Sequence, residues 1–444
     1  MSRQRRWLQT RPPPEAELPC ARRSPTFMNV LRTTLTGLVT LATLVTHAAA
    51  LDPIHIRDAA DYSARQRGSA LLVVQGGREL YAAAQGSFEL TRPHLLASGS
   101  KSFSCAIAVA LADDGRLDLD ERASDTLTEW RTDVRKRDIT VRQLLSFTSG
   151  LPARVGPAAV RLNEDLYGAA LRAPAEAAPG ARYTYGNSHL AAFGELVRRK
   201  TGQDPAQYLQ RRVLDPIGAR AVWQRDRVGN PNLAGSAGMT ARDWARYGQL
   251  VLQQGRWKGR TVLSAERLRQ CFEGSGTLAA YGLTWWLNVP FAGTLDADDE
   301  VPVRALGGAD GATRLAPSAP TDVAFAAGAG NQRLYLIPSE NAVVVRFGEG
   351  GPWSDEEFLA RLLGRVPTSV TPPTPDEVAA SDPGRLPALQ RALARLDLNF
   401  QAKRDLLAAL REAGTNRDAR SRALRRYLTP EQLRDLTTFL RKER

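Results

Sequence analysis

The sequence predicts an α+β fold: an antiparallel sheet flanked by helices, a helical subdomain set between its early and late strands, and a small helical unit at the C-terminal end. Three observations predict it. An early hairpin pattern, Ala70 to Val74 and Leu80 to Ala84, surrounds the turn Gln75-Gly76-Gly77-Arg78. Three further β-rich runs, Val323 to Ala326, Leu334 to Ile337 and Ala342 to Phe347, come only near the far end of the same region. Between them lies a helix-rich stretch that opens with Phe103, Ile107, Ala108, Val109, Ala110 and Leu111, apolar on nearly every side. A helix of that kind is buried inside a domain rather than laid on its surface.

At 444 residues and 43% apolar content the chain can hold one large core and a smaller unit. Its first 50 residues read as a leader. Met28-Asn29-Val30-Leu31-Arg32, the apolar run from Leu35 to Val45 and the exit Ala48-Ala49-Ala50 have the charged start, short centre and small residues of a secretory signal peptide over 28–50. The run is short for a membrane span, and an uncleaved anchor is the second reading. Residues 1–27, rich in Arg and Pro, read as a disordered or non-native extension. Residues 51–366 are the expected main domain. Within it, Asn288 to Asp322, with the acidic run Asp296-Ala297-Asp298-Asp299-Glu300, reads as a surface loop or as a lid over a cleft. Pro367-Thr368-Ser369-Val370-Thr371-Pro372-Pro373-Thr374-Pro375 opens a linker expected over 367–384. Residues 385–444 read as a basic helical tail, with one stripe of Leu386, Leu389, Leu393 and Leu396 and a capped helix start at Thr429-Pro430-Glu431-Gln432.

The formal net charge of +13 belongs to the two ends. Residues 1–27 carry six arginines against two acids, residues 385–444 carry fifteen bases against seven acids, and residues 51–384 are near neutral. That distribution argues against a nucleic-acid partner. The tail suits contact with acidic cell-envelope polymer or anionic lipid head groups, while a solvated helical hairpin packed on the main domain is the plainer reading.

The chemistry concentrates at Ser98-Gly99-Ser100-Lys101, which opens the apolar helix, and at Tyr185-Gly186-Asn187. A serine hydroxyl is a weak nucleophile at neutral pH and needs a base within hydrogen-bond reach. Positions three apart share a helix face, so Ser98 and Lys101 project together, and a lysine kept from water becomes a usable base. The start of a helix also favours a developing oxyanion. An ordinary helix start is the competing reading of Ser98 and Lys101, and a structural turn after Pro179-Gly180 is that of Tyr185.

The order of landmarks resembles the serine hydrolase superfamily of class C β-lactamases, D-alanyl-D-alanine peptidases and related esterases and amide hydrolases. After Ser98 and Lys101 come Asp114-Gly115-Arg116-Leu117, then Leu144-Leu145-Ser146-Phe147-Thr148-Ser149-Gly150-Leu151-Pro152, then Pro179-Gly180 through Asn187. Leu214-Asp215-Pro216-Ile217-Gly218, Gly238-Met239-Thr240, Tyr281-Gly282-Leu283-Thr284-Trp285-Trp286 and Gln332-Arg333-Leu334-Tyr335-Leu336-Ile337-Pro338 continue the series. The resemblance covers roughly residues 55 to 365 and implies the β-lactamase and penicillin-binding-protein transpeptidase fold. It implies further that Ser98 is acylated, that Lys101 is its base, that Tyr185 shuttles protons, and that Asn187 positions substrate and Lys101.

The third motif departs from the family. Relatives carry Lys or His, any residue, then Gly; here the match is Gly328-Ala329-Gly330 before Asn331, without the cation. That residue helps to hold the substrate carboxylate of β-lactams and cell-wall peptides, so its loss points away from them. Arg333 and Arg346 are the nearby cations that could compensate. The glycines mark close backbone approach, and an oxyanion hole is expected from the N–H of Ser98 and one near Gly330 or Asn331. Phe147 stands where many relatives carry histidine and reads as a packing substitution.

Four histidines, His47, His55, His94 and His189, leave little for a Ser-His-Asp triad, and only His189 lies near a motif. No paired His or Cys spacing suggests zinc, so neither metal nor organic cofactor is expected. Cys105 reads by default as a buried free thiol; a disulfide with Cys271 would suit export, and spacing alone leaves the choice open. The expected function is hydrolysis of a small or peptide-like ester or amide through a Ser98 acyl-enzyme. A β-lactamase or D-alanyl-D-alanine peptidase is one alternative, and a non-catalytic peptidoglycan- or ligand-binding module is another.

Overall fold

The computed structural model describes residues 49–154, 165–292, 295, 303–308 and 310–368, together with residues 406, 424 and 428. The leader before residue 49, the acidic run 296–300, most of the linker and the tail helices lie outside the described residues. Among the described residues, six strands form one antiparallel sheet: β1 Gly68–Gln75, β2 Arg78–Ala84, β3 Trp286–Leu287, β4 Ala324–Gly328, β5 Gln332–Ile337 and β6 Ala342–Gly348. Their spatial order is β2-β1-β6-β5-β4-β3. The early hairpin forms as expected, with Gly76 (φ 57°) and Gly77 (φ 79°) making its two-residue turn. β1 pairs directly with β6, Leu72 opposite Val345, so the early and late strands meet inside one sheet. β4 runs two residues further than its apolar pattern, because Ala327 and Gly328 pair with Arg333 and Gln332 across the turn.

Alternation along β5 sorts side chains onto two layers. Arg333 and Tyr335 face the helix Asp355–Leu362, where both bond to Asp355. Leu334 faces the helix Ala241–Leu252, where Gly248 lets the backbone come close: a Cβ there would sit 2.8 Å from Leu334 and 2.7 Å from Val343. The first layer is completed by the helix Pro53–Arg65, tied to its neighbour by Arg361 to Asp58 and by the Ser354 N–H to the Tyr62 hydroxyl. Arg346 is buried beneath these helices. It donates to Ser63 Oγ (3.0 Å), Gln66 O (2.7 Å) and Asn331 O (2.7 Å) and lies 4.0 Å from the Trp353 ring centre.

The apolar helix forms over Phe103–Asp113, and every residue from Phe103 to Leu111 is buried. Cys105 on that helix is joined by a disulfide to Cys271, 166 residues away, so the free-thiol reading gives way. The two sulfurs meet because the turn Gln270–Phe272 packs against the helix, a proximity that spacing along the chain does not reveal. The helical part between β2 and β3 includes Val141–Leu145, started by a Thr140/Gln143 capping box, and Ser188–Thr201, ended by Gly202 at φ 67°. Within 288–322, Asn288 ties part of the described chain together. Asn288 is fully buried, donates to the carbonyls of Ala316 (2.8 Å) and Pro320 (3.0 Å), and accepts from Ala316 N–H (2.8 Å).

Candidate active site

Ser98 and Lys101 lie on a 3-10 turn, Ala97–Ser102, that leads into the buried helix, not on the α-helix that the spacing suggested. The difference helps them meet, because positions three apart eclipse in 3-10 geometry. The turn begins at Ala97 with φ 47°, a conformation that costs a non-glycine residue about 1 kcal/mol or more. Its other hydroxyls are structural: Ser100 Oγ donates to Ala97 O (2.7 Å) and accepts from Ala237 N–H (3.0 Å), and Ser102 Oγ donates to Gly99 O (2.8 Å). Ser98 is half-buried, and its Oγ lies 3.0 Å from Lys101 Nζ.

Lys101 is 2% exposed. Its Nζ is also 3.1 Å from Asn187 Oδ1 and 2.7 Å from Ala234 O, and it stands 4.9 Å from the centre of the Tyr185 ring. Asn187 begins the helix Ser188–Thr201 without capping it, leaving its side chain to Lys101. The preceding turn is locked to Ala153: Asn187 N–H donates to Ala153 O (2.8 Å), and a Cβ on Gly186 would lie 2.2 Å from that oxygen. Only glycine fits between Tyr185 and Asn187. Tyr185 is stacked on Trp286 (5.7 Å) and set edge-on to Phe147 (5.6 Å). The site thus brings Ser98, Lys101, Tyr185 and Asn187 together.

Phe147 is fully buried against Tyr183, Tyr185, Tyr281 and His189, which supports its reading as a packing residue. His189 is structural as well. Its ring nitrogens are within 2.8 Å of Ser149 Oγ and 2.9 Å of Thr184 O, and burial lowers its pKa to about 4, so it is neutral at pH 7.

From the sheet side, β4 presses on the nucleophile turn at Gly328, where a Cβ would fall 2.0 Å from Leu96 O and 3.0 Å from Gly99 N. Gly330 (φ 79°) and Asn331 (φ 63°) form the tip beyond it, and Asn331 Nδ2 donates to Gly351 O (3.1 Å). Both arginines are engaged by groups of the fold. Arg333 forms a buried two-point ion pair with Asp355, and Arg346 is held by Ser63, Gln66 and Asn331. Among the described residues no group of three or more His, Cys, Asp or Glu is arranged to hold a metal ion. A groove of about 590 Å³ at the far end of the helix Ser188–Thr201 is lined by Asp165, Glu195, Arg198, Asp204 and Asn230 and by none of the site residues.

Two participants escaped the sequence reading. Ala234 acts through its carbonyl, which any residue type would supply. Trp286 belongs to a stretch that carried the family resemblance, yet nothing in its spacing says that its ring lies against Tyr185.

With this geometry in view, the comparison with known families is decisive: the Beta-lactamase family model matches residues 55–366. The chain belongs to the Beta-lactamase family. It therefore has the β-lactamase fold. Among curated relatives, Protein flp of Staphylococcus aureus (strain MW2) is 24% identical over 165 residues, 34% of this chain and 33% of that protein. The match thus spans about a third of the length of that relative. Monacolin J acid methylbutanoyltransferase of Aspergillus terreus is 29% identical over 219 residues, 44% of this chain and 51% of the transferase. Among solved structures, a family VIII carboxylesterase superposes with a TM-score of 0.53 at 16% identity, covering 71% of this chain and 97% of the esterase, a likeness of fold.

Proposed function

We propose that this protein is an exported serine hydrolase that opens an ester or amide through an acyl-enzyme on Ser98. The observation that carries the proposal is the 3.0 Å approach of Lys101 Nζ to Ser98 Oγ, with Asn187 Oδ1 and Ala234 O fixing the other sides of the amine. Both of those oxygens only accept hydrogen bonds, so they hold two N–H bonds of a neutral lysine and leave its lone pair for the Ser98 hydroxyl.

Ser98 Oγ attacks the carbonyl carbon as its proton passes to Lys101. The carbonyl electron pair moves onto oxygen, which is stabilised by backbone N–H groups of the nucleophile turn and of the hairpin tip beyond Gly328. Collapse expels the alcohol or amine, which receives its proton by way of the Tyr185 phenol. Water then attacks the acyl-enzyme, and the same groups return the proton to Ser98. The Tyr185 ring, 4.9 Å from Nζ, also favours the ammonium form that Lys101 takes after each proton transfer. The missing third-motif cation favours neutral substrates over β-lactams and cell-wall peptides, which carry a carboxylate. Export is supported by the leader pattern and by the Cys105–Cys271 disulfide, which suits an oxidising compartment. A cell-envelope contact through the basic tail is part of the same proposal.

The test is intact-mass spectrometry of residues 51–444 after treatment with a fluorophosphonate, beside Ser98→Ala. One adduct on the wild type and none on the variant is the expected result. No adduct on either protein overturns the reading and leaves a ligand-binding module on the same fold.

A further inference from the structure

We infer that Gln332 is a positioning residue that sets the oxyanion-stabilising backbone of the site. The inference rests on the acyl-enzyme reading above and goes beyond the family's catalytic motifs. Gln332 is the first residue of β5 and is 4% exposed, yet among the described residues its amide makes no bond to another side chain that would explain its burial. It is committed to backbone instead. Nε2 donates to Ala329 O (3.1 Å) and Gly348 O (2.7 Å), and Oε1 accepts from Gly348 N–H (3.0 Å). The side chain acts as one more peptide group, bridging the β4–β5 tip to the end of β6.

That bridge matters because of where the tip stands. β4 touches the nucleophile turn at Gly328, and on the acyl-enzyme reading the peptides just beyond Gly328 are those that meet the carbonyl under attack by Ser98. In a planar trans peptide the C=O and N–H point opposite ways. Holding Ala329 O on Gln332 therefore turns the Gly330 N–H away from Gln332. The next two carbonyls are held as well: Gly330 O accepts from Gly350 N–H (3.0 Å), and Asn331 O accepts from Arg346 (2.7 Å). All three peptide planes of the tip are thus set before substrate arrives, as electrostatic preorganisation requires. The glycine at 330 fits the same device. Its φ is 79°, and a Cβ there would lie 2.5 Å from Gln332 Nε2.

The experiment compares wild type, Gln332→Leu and Gln332→Glu on a p-nitrophenyl ester and on its thiono analogue, whose sulfur accepts N–H bonds poorly. Gln332→Leu removes all three bonds, while Gln332→Glu keeps the acceptor for Gly348 N–H and the side-chain size. For Gln332→Leu we expect kcat to fall about 10- to 100-fold with KM within threefold, as for a displaced oxyanion donor. The preference for ester over thionoester should shrink by a similar factor, and Gln332→Glu, which sets a carboxylate oxygen against the Ala329 and Gly348 carbonyls, should shrink it at least as much. A merely structural defect lowers the amount of active enzyme and leaves that preference unchanged. A folded variant with wild-type kcat and wild-type preference overturns the inference, as does loss of folding in both variants. Failure of the wild type to take a fluorophosphonate overturns the acyl-enzyme reading itself and is told apart by that result.

Discussion

Among the neighbours of Lys101 Nζ, Asn187 Oδ1 and Ala234 O cannot donate. The charge state of the lysine therefore decides whether Ser98 faces a base or a third proton. Lys101→Met keeps the length and removes the amine; kcat/KM for a p-nitrophenyl ester is expected to fall about 10³-fold, the usual scale for a lost general base. Steady-state kinetics beside a thermal melt checks that the loss is chemical. His189 makes a separate prediction. Its folded pKa of about 4 is depressed from 6.5 by burial, so the unfolded chain binds the proton more readily. The associated stability is complete above pH 6.5 and is lost as pH falls from 6.5 to 4, by about 3 kcal/mol in all. Urea midpoints across that window should fall, and more steeply than in His189→Gln. At this scale the sequence was informative wherever side-chain type carries the chemistry: Ser98, Lys101, Tyr185 and Asn187 were legible together. Ala234 was not, since a backbone carbonyl leaves no mark on residue type, and neither was Gln332, whose partners are all backbone.

The strands and the buried helix were legible from alternation and from uniform apolarity. What places them against one another was not. Gly328 shows why: in the sequence it is one glycine in a run, but in the fold it is the point where β4 rests on the nucleophile turn. Gly328→Ala puts a methyl group 2.0 Å from Leu96 O and must move strand and turn apart. Activity should drop about 10²-fold, the scale of an ångström-sized misplacement, and far more than the melting temperature would suggest. Kinetics and calorimetry on the same preparation would separate the two. The disulfide works on the helix that follows the nucleophile. It joins Cys105, one turn beyond Lys101, to Cys271 and closes a long loop. Replacing both cysteines with Ala should lower unfolding stability by about 3–5 kcal/mol, read from non-reducing urea titrations.

The whole domain is closed by its sequence-distant ends: β1 pairs with β6, and the helix Pro53–Arg65 packs on Asp355–Leu362. At the centre of that closure Asp355 accepts from Arg333, from the Tyr335 hydroxyl and from Trp353 Nε1. Burial alone would push its carboxyl up, but the Arg333 charge and these hydrogen bonds more than offset that and hold it below the ordinary carboxylate value. The stability this represents is present above pH 4 and is lost as pH falls further. A buried ion pair is costly to break from one side, because the remaining charge keeps its desolvation without its partner. Arg333→Met is therefore expected to destabilise the domain by about 3–5 kcal/mol. Arg333→Met combined with Asp355→Leu should destabilise it less than that single change, since no charge is stranded. Double-mutant urea cycles at pH 7 test this directly. If the double variant is less stable than Arg333→Met, then Asp355 serves the closure mainly through Tyr335 and Trp353 rather than through the ion pair. Because Arg333 neighbours Gln332 on β5, the single variant should also slow ester turnover if closure of the sheet is what keeps the hairpin tip in place.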